Sequence, residues 1–138
     1  MKNAITLTLI FATSLSVLAV ETEPPDQLVH RLAHNARVPG TKSNDYLPCI
    51  DFKQLKRSDK YWTKARVFEL FKSIDPDKIK FDSHKQFDTV IRMTEPVQAI
   101  FTFDARKNME GKGPPIWYYL IKVEMVGPSN LAHPPGKP

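Results

Sequence analysis

The sequence has 138 residues, of which 41% are hydrophobic and 25% charged, with 20 Lys and Arg against 15 Asp and Glu. This composition is typical of one folded domain and excludes an intrinsically disordered chain. The chain has a single cysteine, no Gly-X-Y period and no repeat of 20 to 50 residues, which excludes disulfide scaffolds, collagen and solenoids.

The first segment has the features of an export signal. Lys2 precedes an apolar stretch from Ala4 to Leu18, and Val17 and Ala19 fit the positions before a cleavage site. We therefore expect residues 1–19 to form a signal peptide that is removed after Ala19. Because no later segment is apolar enough to cross a bilayer, the product is expected to be soluble and either secreted or periplasmic.

Prolines concentrate at both ends of the mature chain and predict tails there. We expect a flexible N-terminal tail at 20–25, a single α+β domain at 26–127 and a Pro-rich flexible tail at 128–138. Cys49 lies in an apolar run and is expected to be buried, although it could also link two chains. The chain is therefore expected to be a monomer or a Cys49-linked dimer.

Two helices are predicted in the N-terminal half of the domain. From Asp26 to Arg37 the apolar residues recur at helical spacing, and Val38-Pro39-Gly40 is a stop signal. A second helix is expected over about Ser58 to Ser73, with Ser58 as its N-cap. Its apolar residues spread around the helix, which indicates burial over much of its circumference.

After Asp75-Pro76-Asp77 the apolar period changes from 3.6 to 2 and predicts four strands. They lie at about 78–82, 87–94, 97–105 and 116–126. Short connections favour an antiparallel order. The predicted fold class is α+β, with two N-terminal helices packed on a C-terminal antiparallel β-meander of about four strands.

Alternation assigns the side chains of the last two strands to faces of the sheet. Two rows are expected to meet in the core: Val97, Ala99, Phe101 and Phe103 with Trp117, Tyr119, Ile121, Val123 and Met125. The opposite face is expected either to lie under the helices or to line an apolar pocket, and it carries Val90, Ile100, Tyr118 and Leu120.

The most unusual feature is a concentration of positive charge between residues 53 and 66. Six cations lie there against one acid, Asp59: Lys53, Lys56, Arg57, Lys60, Lys64 and Arg66. If helical geometry held from Lys53, five of them would form one stripe, and such a stripe can follow a polyanion. A solvated helix face without a ligand is the alternative interpretation.

The sequence offers three weaker candidates for chemistry. Asp26, His30 and His34 have the i, i+4, i+8 spacing of a helix face, but Arg31 occupies the place of the glutamate in the zinc protease motif, so no metal or cofactor is expected. The hairpin tip around Gly111 and Gly113 has exposed amides and three cations, Arg106, Lys107 and Lys112. Glu95, His84 and Arg92 have the residue types of a small ribonuclease.

These observations predict a small exported, non-catalytic binding module whose target is an anionic surface or an acidic macromolecule. Two alternatives remain at this point. The first is a small secreted hydrolase with a ribonuclease-like acid–base site. The second is an α+β cone that holds an apolar ligand in a cavity lined by Phe68, Phe101 and Trp117.

Overall fold

The computed structural model describes residues 21–42 and 49–126. The predicted leader at 1–19 and the predicted tail at 128–138 lie outside the described residues. The helices are α1 (Pro25–Ala36), α2 (Phe52–Ser58) and α3 (Lys64–Ser73), followed by a 3₁₀ turn at Pro76–Lys78. The strands are β1 (Lys80–Phe81), β2 (Val90–Glu95), β3 (Ala99–Lys107) and β4 (Ile116–Met125).

The predicted fold class is confirmed. The strands form one antiparallel sheet in the order β1-β2-β3-β4, and the α-helices of the described residues all precede it in the chain. They number three rather than the predicted two. Among the described residues no helix is long and apolar enough to cross a membrane.

Helix α1 begins where its sequence predicts. Pro25 occupies the first turn, where a missing N–H costs nothing, and Asp26 adds a negative charge near the positive end of the helix dipole. Its apolar face is fully buried and consists of Leu28, Val29, Leu32, Ala33 and Ala36. The predicted N-terminal tail is packed in its second half, because Pro24 and Pro25 are also buried.

The predicted helix from Ser58 to Ser73 is confirmed over Lys64–Ser73, but its predicted start is wrong, because residues 59–63 are not helical. Asp51 caps α2 by accepting from Gln54 N, and Thr63 caps α3 by accepting from Arg66 N, with a non-helical link between the two helices. At 100° per residue, a continuous helix would point Trp62 roughly 130° away from the buried apolar face of α3. The break allows Trp62 and that face to enter the same core.

A β-bulge separates the two halves of β4. Thr102 pairs with Lys122, but the next residue of β3, Phe103, pairs with Leu120, so Ile121 has no partner across the ladder. An extra residue shifts the alternation by one position. Val123 therefore points into the core at one end of the strand, while Tyr118 and Leu120 do so at the other end.

The bulge overturns part of the predicted arrangement of the two faces. Ala99, Phe101 and Phe103 are buried as predicted, but Trp117, Tyr119 and Ile121 are only half-buried and lie on the opposite face. Of the two alternatives for the face that carries Tyr118 and Leu120, the apolar pocket does not hold for these two residues, because they belong to the core. The face of the sheet that carries Trp117 and Tyr119 is called the outer face below.

The free edge of β4 is covered by the segment before α2 and by Trp62. Leu120 N donates to Cys49 O at 2.8 Å, and Asp51 N donates to Leu120 O at 3.0 Å. Further along the strand, the Trp62 indole N–H donates to Val123 O at 3.0 Å. These hydrogen bonds satisfy an edge that would otherwise attract another strand. They also fix α2 and its link to α3 beside β4.

Candidate anion-binding surface

Each of the six cations between residues 53 and 66 is exposed to solvent. We call this group the basic segment. Lys53, Lys56 and Arg57 lie on α2, Lys60 lies in the link, and Lys64 and Arg66 lie in the first turn of α3. The continuous stripe expected from one helix is therefore interrupted, but all six charges remain outside the core.

Helix α2 presents three of these cations on one face. Its only buried residue is Leu55, which is fully covered. At 100° per residue, Lys53, Lys56 and Arg57 lie within about 100° of arc, on the side away from Leu55. Burial of Leu55 and capping by Asp51 thus turn the charged face of α2 toward solvent.

Aromatic rings position the two cations of α3. The guanidinium of Arg66 lies 4.8 Å from the centroid of Tyr61 and donates to its hydroxyl at 3.2 Å. The ammonium of Lys64 lies 5.7 Å from the ring of Phe52, at the start of α2. Because these cation–π contacts keep the charges, they orient Lys64 and Arg66 without neutralising them.

The cations of the basic segment form no ion pair with an acid of the described residues. Among residues 21–42 and 49–126, no carboxylate lies within 4.0 Å of any of the six. Five other cations are paired with acids: Arg31, Lys80, Arg92, Arg106 and Lys122. The basic segment thus places six cations without a carboxylate of the described residues in ion-pair range within fourteen positions of the chain.

An ion-pair network holds the start of α2 against the outer face of the sheet. Arg106 donates to Asp51 at 2.6 Å and to Asp104 at 3.0 Å, and its guanidinium lies 4.4 Å from the ring centroid of Tyr119. The hydrogen bond from Arg106 lowers the pKa of Asp51, and the same contact raises the pKa of Arg106. The sequence did not predict this network, because Asp51 and Arg106 are 55 positions apart.

Each of the residues suggested for acid–base catalysis is paired with another residue. Glu95 pairs with Lys80, His84 with Asp26, and Arg92 with Asp82. Within the described part of the chain, no hydrogen bond or ion pair joins any two of Glu95, His84 and Arg92. Of the residues suggested to line an apolar cone, Phe101 stacks on Phe71 in the core, whereas Trp117 lies on the other face of the sheet.

Cys49 is buried, with 8% of its surface exposed. Burial raises the pKa of its thiol, although an N–H of Arg31 lies 3.5 Å from the sulfur and opposes this shift. A high thiol pKa disfavours the thiolate, which is the reactive form. The predicted link between two chains through Cys49 stays a prediction.

Among the described residues, which include the histidine row of α1, no group of three or more His, Cys, Asp and Glu side chains has a geometry that could hold a metal ion. Asp26 faces His84 instead, at 3.3 Å, while Nδ1 of His84 lies 2.9 Å from the carbonyl oxygen of Asp82. The carbonyl of Asp82 and then the carboxylate of Asp26 raise the pKa of His84 above 6.5, and partial burial opposes them.

Protonation of His84 is expected to stabilise the fold. An imidazolium donates to both oxygens at once, whereas either neutral tautomer donates to only one. Because the folded state raises the pKa, this stabilisation is fully present below pH 6.5 and is lost as the pH rises through the folded pKa. We expect the difference in unfolding free energy between the wild type and Asp26→Asn to shrink from pH 6 to pH 8.5. Chemical denaturation at each pH measures it, and a difference that stays constant would contradict the role of His84.

Comparison of the chain with protein families, curated proteins and solved structures finds no match to any of them.

Proposed function

We propose that this protein is a small, non-catalytic binding module that acts after export and recognises an anionic surface or an acidic macromolecule through the basic segment. The supporting observation is the density of cations that are exposed and have no acidic partner among the described residues. Lys53, Lys56 and Arg57 share one face of α2, and Lys64 and Arg66 are oriented beside it by Phe52 and Tyr61.

Binding by such a surface is driven by long-range attraction and by release of counterions from the polyanion. Each phosphate, sulfate or carboxylate neutralised by a lysine or arginine adds to the affinity and steepens its decrease with salt. Exposed charges are screened beyond about 8 Å at physiological ionic strength, so only closely spaced cations act together. The spacing of three and four residues along α2 meets this requirement.

Charge reversal of Lys56, Arg57 and Lys60 tests this proposal. The triple substitution to glutamate lowers the formal net charge of the sequence from +5 to −1. We expect the wild type to bind a phosphocellulose matrix at about 50 mM salt, where phosphate contacts are strong, and the variant to pass through. The thermal midpoint should change by only a few degrees, because exposed charges contribute little to stability.

A matched control separates local charge from total charge. The substitution of Lys78, Lys85 and Lys112 by glutamate gives the same net charge, and these three exposed lysines come from different parts of the chain. We expect this control to stay bound at the salt concentration at which the first variant passes through. Equal retention of the wild type and the first variant, or equal loss in both variants, would refute a binding surface at the basic segment.

A further inference from the structure

A cleft of about 620 Å³ opens beside the β3–β4 hairpin, and the proposed function does not use it. Its lining combines aromatic, apolar and charged groups: Cys49, Lys107, Asn108, Met109, Glu110, Trp117 and Tyr119. Trp117 and Tyr119 are two positions apart on β4, so both rings lie on the outer face of the sheet. Met109, which is 82% exposed, lies at the hairpin.

The rings of the cleft are held in place from several sides. Trp117 packs partly against the core cluster, and Gly113 of the hairpin lies beside its six-membered ring, where an added Cβ atom would lie 3.2 Å from Cζ2. The Asn108 side chain fixes that loop by donating to the carbonyl oxygens of Lys112 and Pro114. The guanidinium of Arg106 covers Tyr119. Rings fixed before a ligand arrives lose little conformational entropy on binding.

The polar groups of the cleft favour a sugar ring over a nucleotide. An indole face packs against the C–H bonds of a pyranose or against a nucleobase, so Trp117 alone does not distinguish them. Lys107 supplies a donor and Glu110 an acceptor, as sugar hydroxyl groups require. A nucleic acid carries a phosphate at every unit, which would meet the negative charge of Glu110, whereas a polysaccharide can place an uncharged ring in the cleft and its anionic groups on the neighbouring rings.

The cleft is also close to the basic segment. Cys49 lines it, and four residues of chain span at most about 14 Å, so the backbone of Lys53 lies within that distance of Cys49. Asp51 lies between them and is bonded to Arg106, which stacks on Tyr119. A chain of a few linked sugars is long enough to reach from the cleft to the first cations of α2.

We propose that the cleft binds one pyranose ring of an acidic polysaccharide, with the ring stacked on Trp117 and the neighbouring carboxylates or sulfates bound by the basic segment. This inference depends on the proposed function, because it names the class of polyanion that the basic segment recognises. It assigns ring recognition to Trp117 and charge recognition to α2. The two contributions are therefore separable by experiment.

The experiment is a titration of the full chain with a hyaluronan hexamer, in which uncharged rings alternate with uronic acids, at several salt concentrations, followed by calorimetry. We expect Trp117→Leu to weaken binding about tenfold at every salt concentration, which corresponds to one stacked ring, and to leave the salt slope unchanged. The charge reversal at Lys56, Arg57 and Lys60 should flatten the salt slope. Phe87→Leu, which removes an exposed aromatic ring outside the cleft, should leave the affinity unchanged.

A measurement on the unaltered chain guards against misfolding of the variant. Of the two tryptophans, Trp62 is 1% exposed, so a change in fluorescence on addition of the hexamer reports Trp117. An unchanged emission spectrum at saturation, or equal affinities of wild type and Trp117→Leu, would overturn the role of the cleft while leaving the basic segment as a binding surface. Tighter binding of an oligothymidylate of six nucleotides than of the hexamer would also overturn it, in favour of nucleic acid. If the charge reversal at Lys56, Arg57 and Lys60 left the salt slope unchanged, that result would refute the proposed function instead.

Discussion

Trp62→Ala is expected to lower the free energy of unfolding by about 4 kcal/mol, a loss typical of truncating a buried aromatic residue. The side chain is among the largest that are fully buried. Its removal leaves a cavity between the α2–α3 link and β4, and it also removes the donor to Val123 O at 3.0 Å. In a domain of about 100 residues, such a loss corresponds to roughly 16 to 30 °C in the thermal midpoint. Urea denaturation followed by circular dichroism measures the change.

Trp62→Phe separates the hydrogen bond from the packing. Phenylalanine keeps most of the apolar contact but leaves the carbonyl of Val123 without its indole donor, at a cost of about 1 to 3 kcal/mol for an unsatisfied buried group. This variant should remain folded and should keep the affinity of the basic segment for phosphocellulose. If Trp62→Ala denatured at the urea concentration of the wild type, the indole would not anchor the link.

Trp62 also shows why the second helix could not be predicted correctly. Its sequence has helical residues on both sides of the break, and the apolar residues spread around the cylinder in a way that favours a helix buried on several sides. The break between α2 and α3 places Trp62 against a partner that is distant in sequence, the carbonyl of Val123, which is 61 residues away. Local patterns contain no information about that hydrogen bond, and only the two caps, Asp51 and Thr63, mark the break.

The strands were predictable to within a few residues because alternation and turn residues are local signals. The assignment of faces in β4 was not, since a bulge without glycine leaves no clear mark in the pattern. Val123 and Met125 fit one alternation and Tyr118 and Leu120 fit the other. The run of ten mostly apolar residues in β4 is compatible with both, so the position of the shift depends on how β3 pairs with it.

The candidate site also has one part that the sequence predicted and one part that it did not. The cations between Lys53 and Arg66 were visible as composition, and their exposure on α2 follows from the single buried residue, Leu55. The cleft at the hairpin was not visible, because the sequence alone placed Trp117 and Tyr119 in the core. Their position on the outer face is a consequence of the bulge at Ile121.

Deletion of Ile121 from β4 and deletion of Thr102 from β3 should therefore have opposite effects on the fold. Without Ile121, Lys122 and Leu120 become neighbours and still face Thr102 and Phe103, so the ladder between β3 and β4 becomes regular and every core side chain keeps its face. We expect this deletion to fold and to lose no more than about 2 kcal/mol, the usual range for a change at a partly exposed position.

Deletion of Thr102 shifts the alternation of side chains between the two faces of β3. Phe101 and Phe103 become neighbours and must point to opposite faces of the sheet, so one fully or almost fully buried ring is moved to the solvent side. Exposing that ring and refilling its place should cost about 3 to 5 kcal/mol or more, enough to unfold a marginally stable domain. The dispersion of amide signals in a ¹⁵N-correlated NMR spectrum distinguishes the two variants. A well-dispersed spectrum from the Thr102 deletion, or a collapsed spectrum from the Ile121 deletion, would show that the bulge lies elsewhere. The assignment of Trp117 and Tyr119 to the outer face would then be wrong.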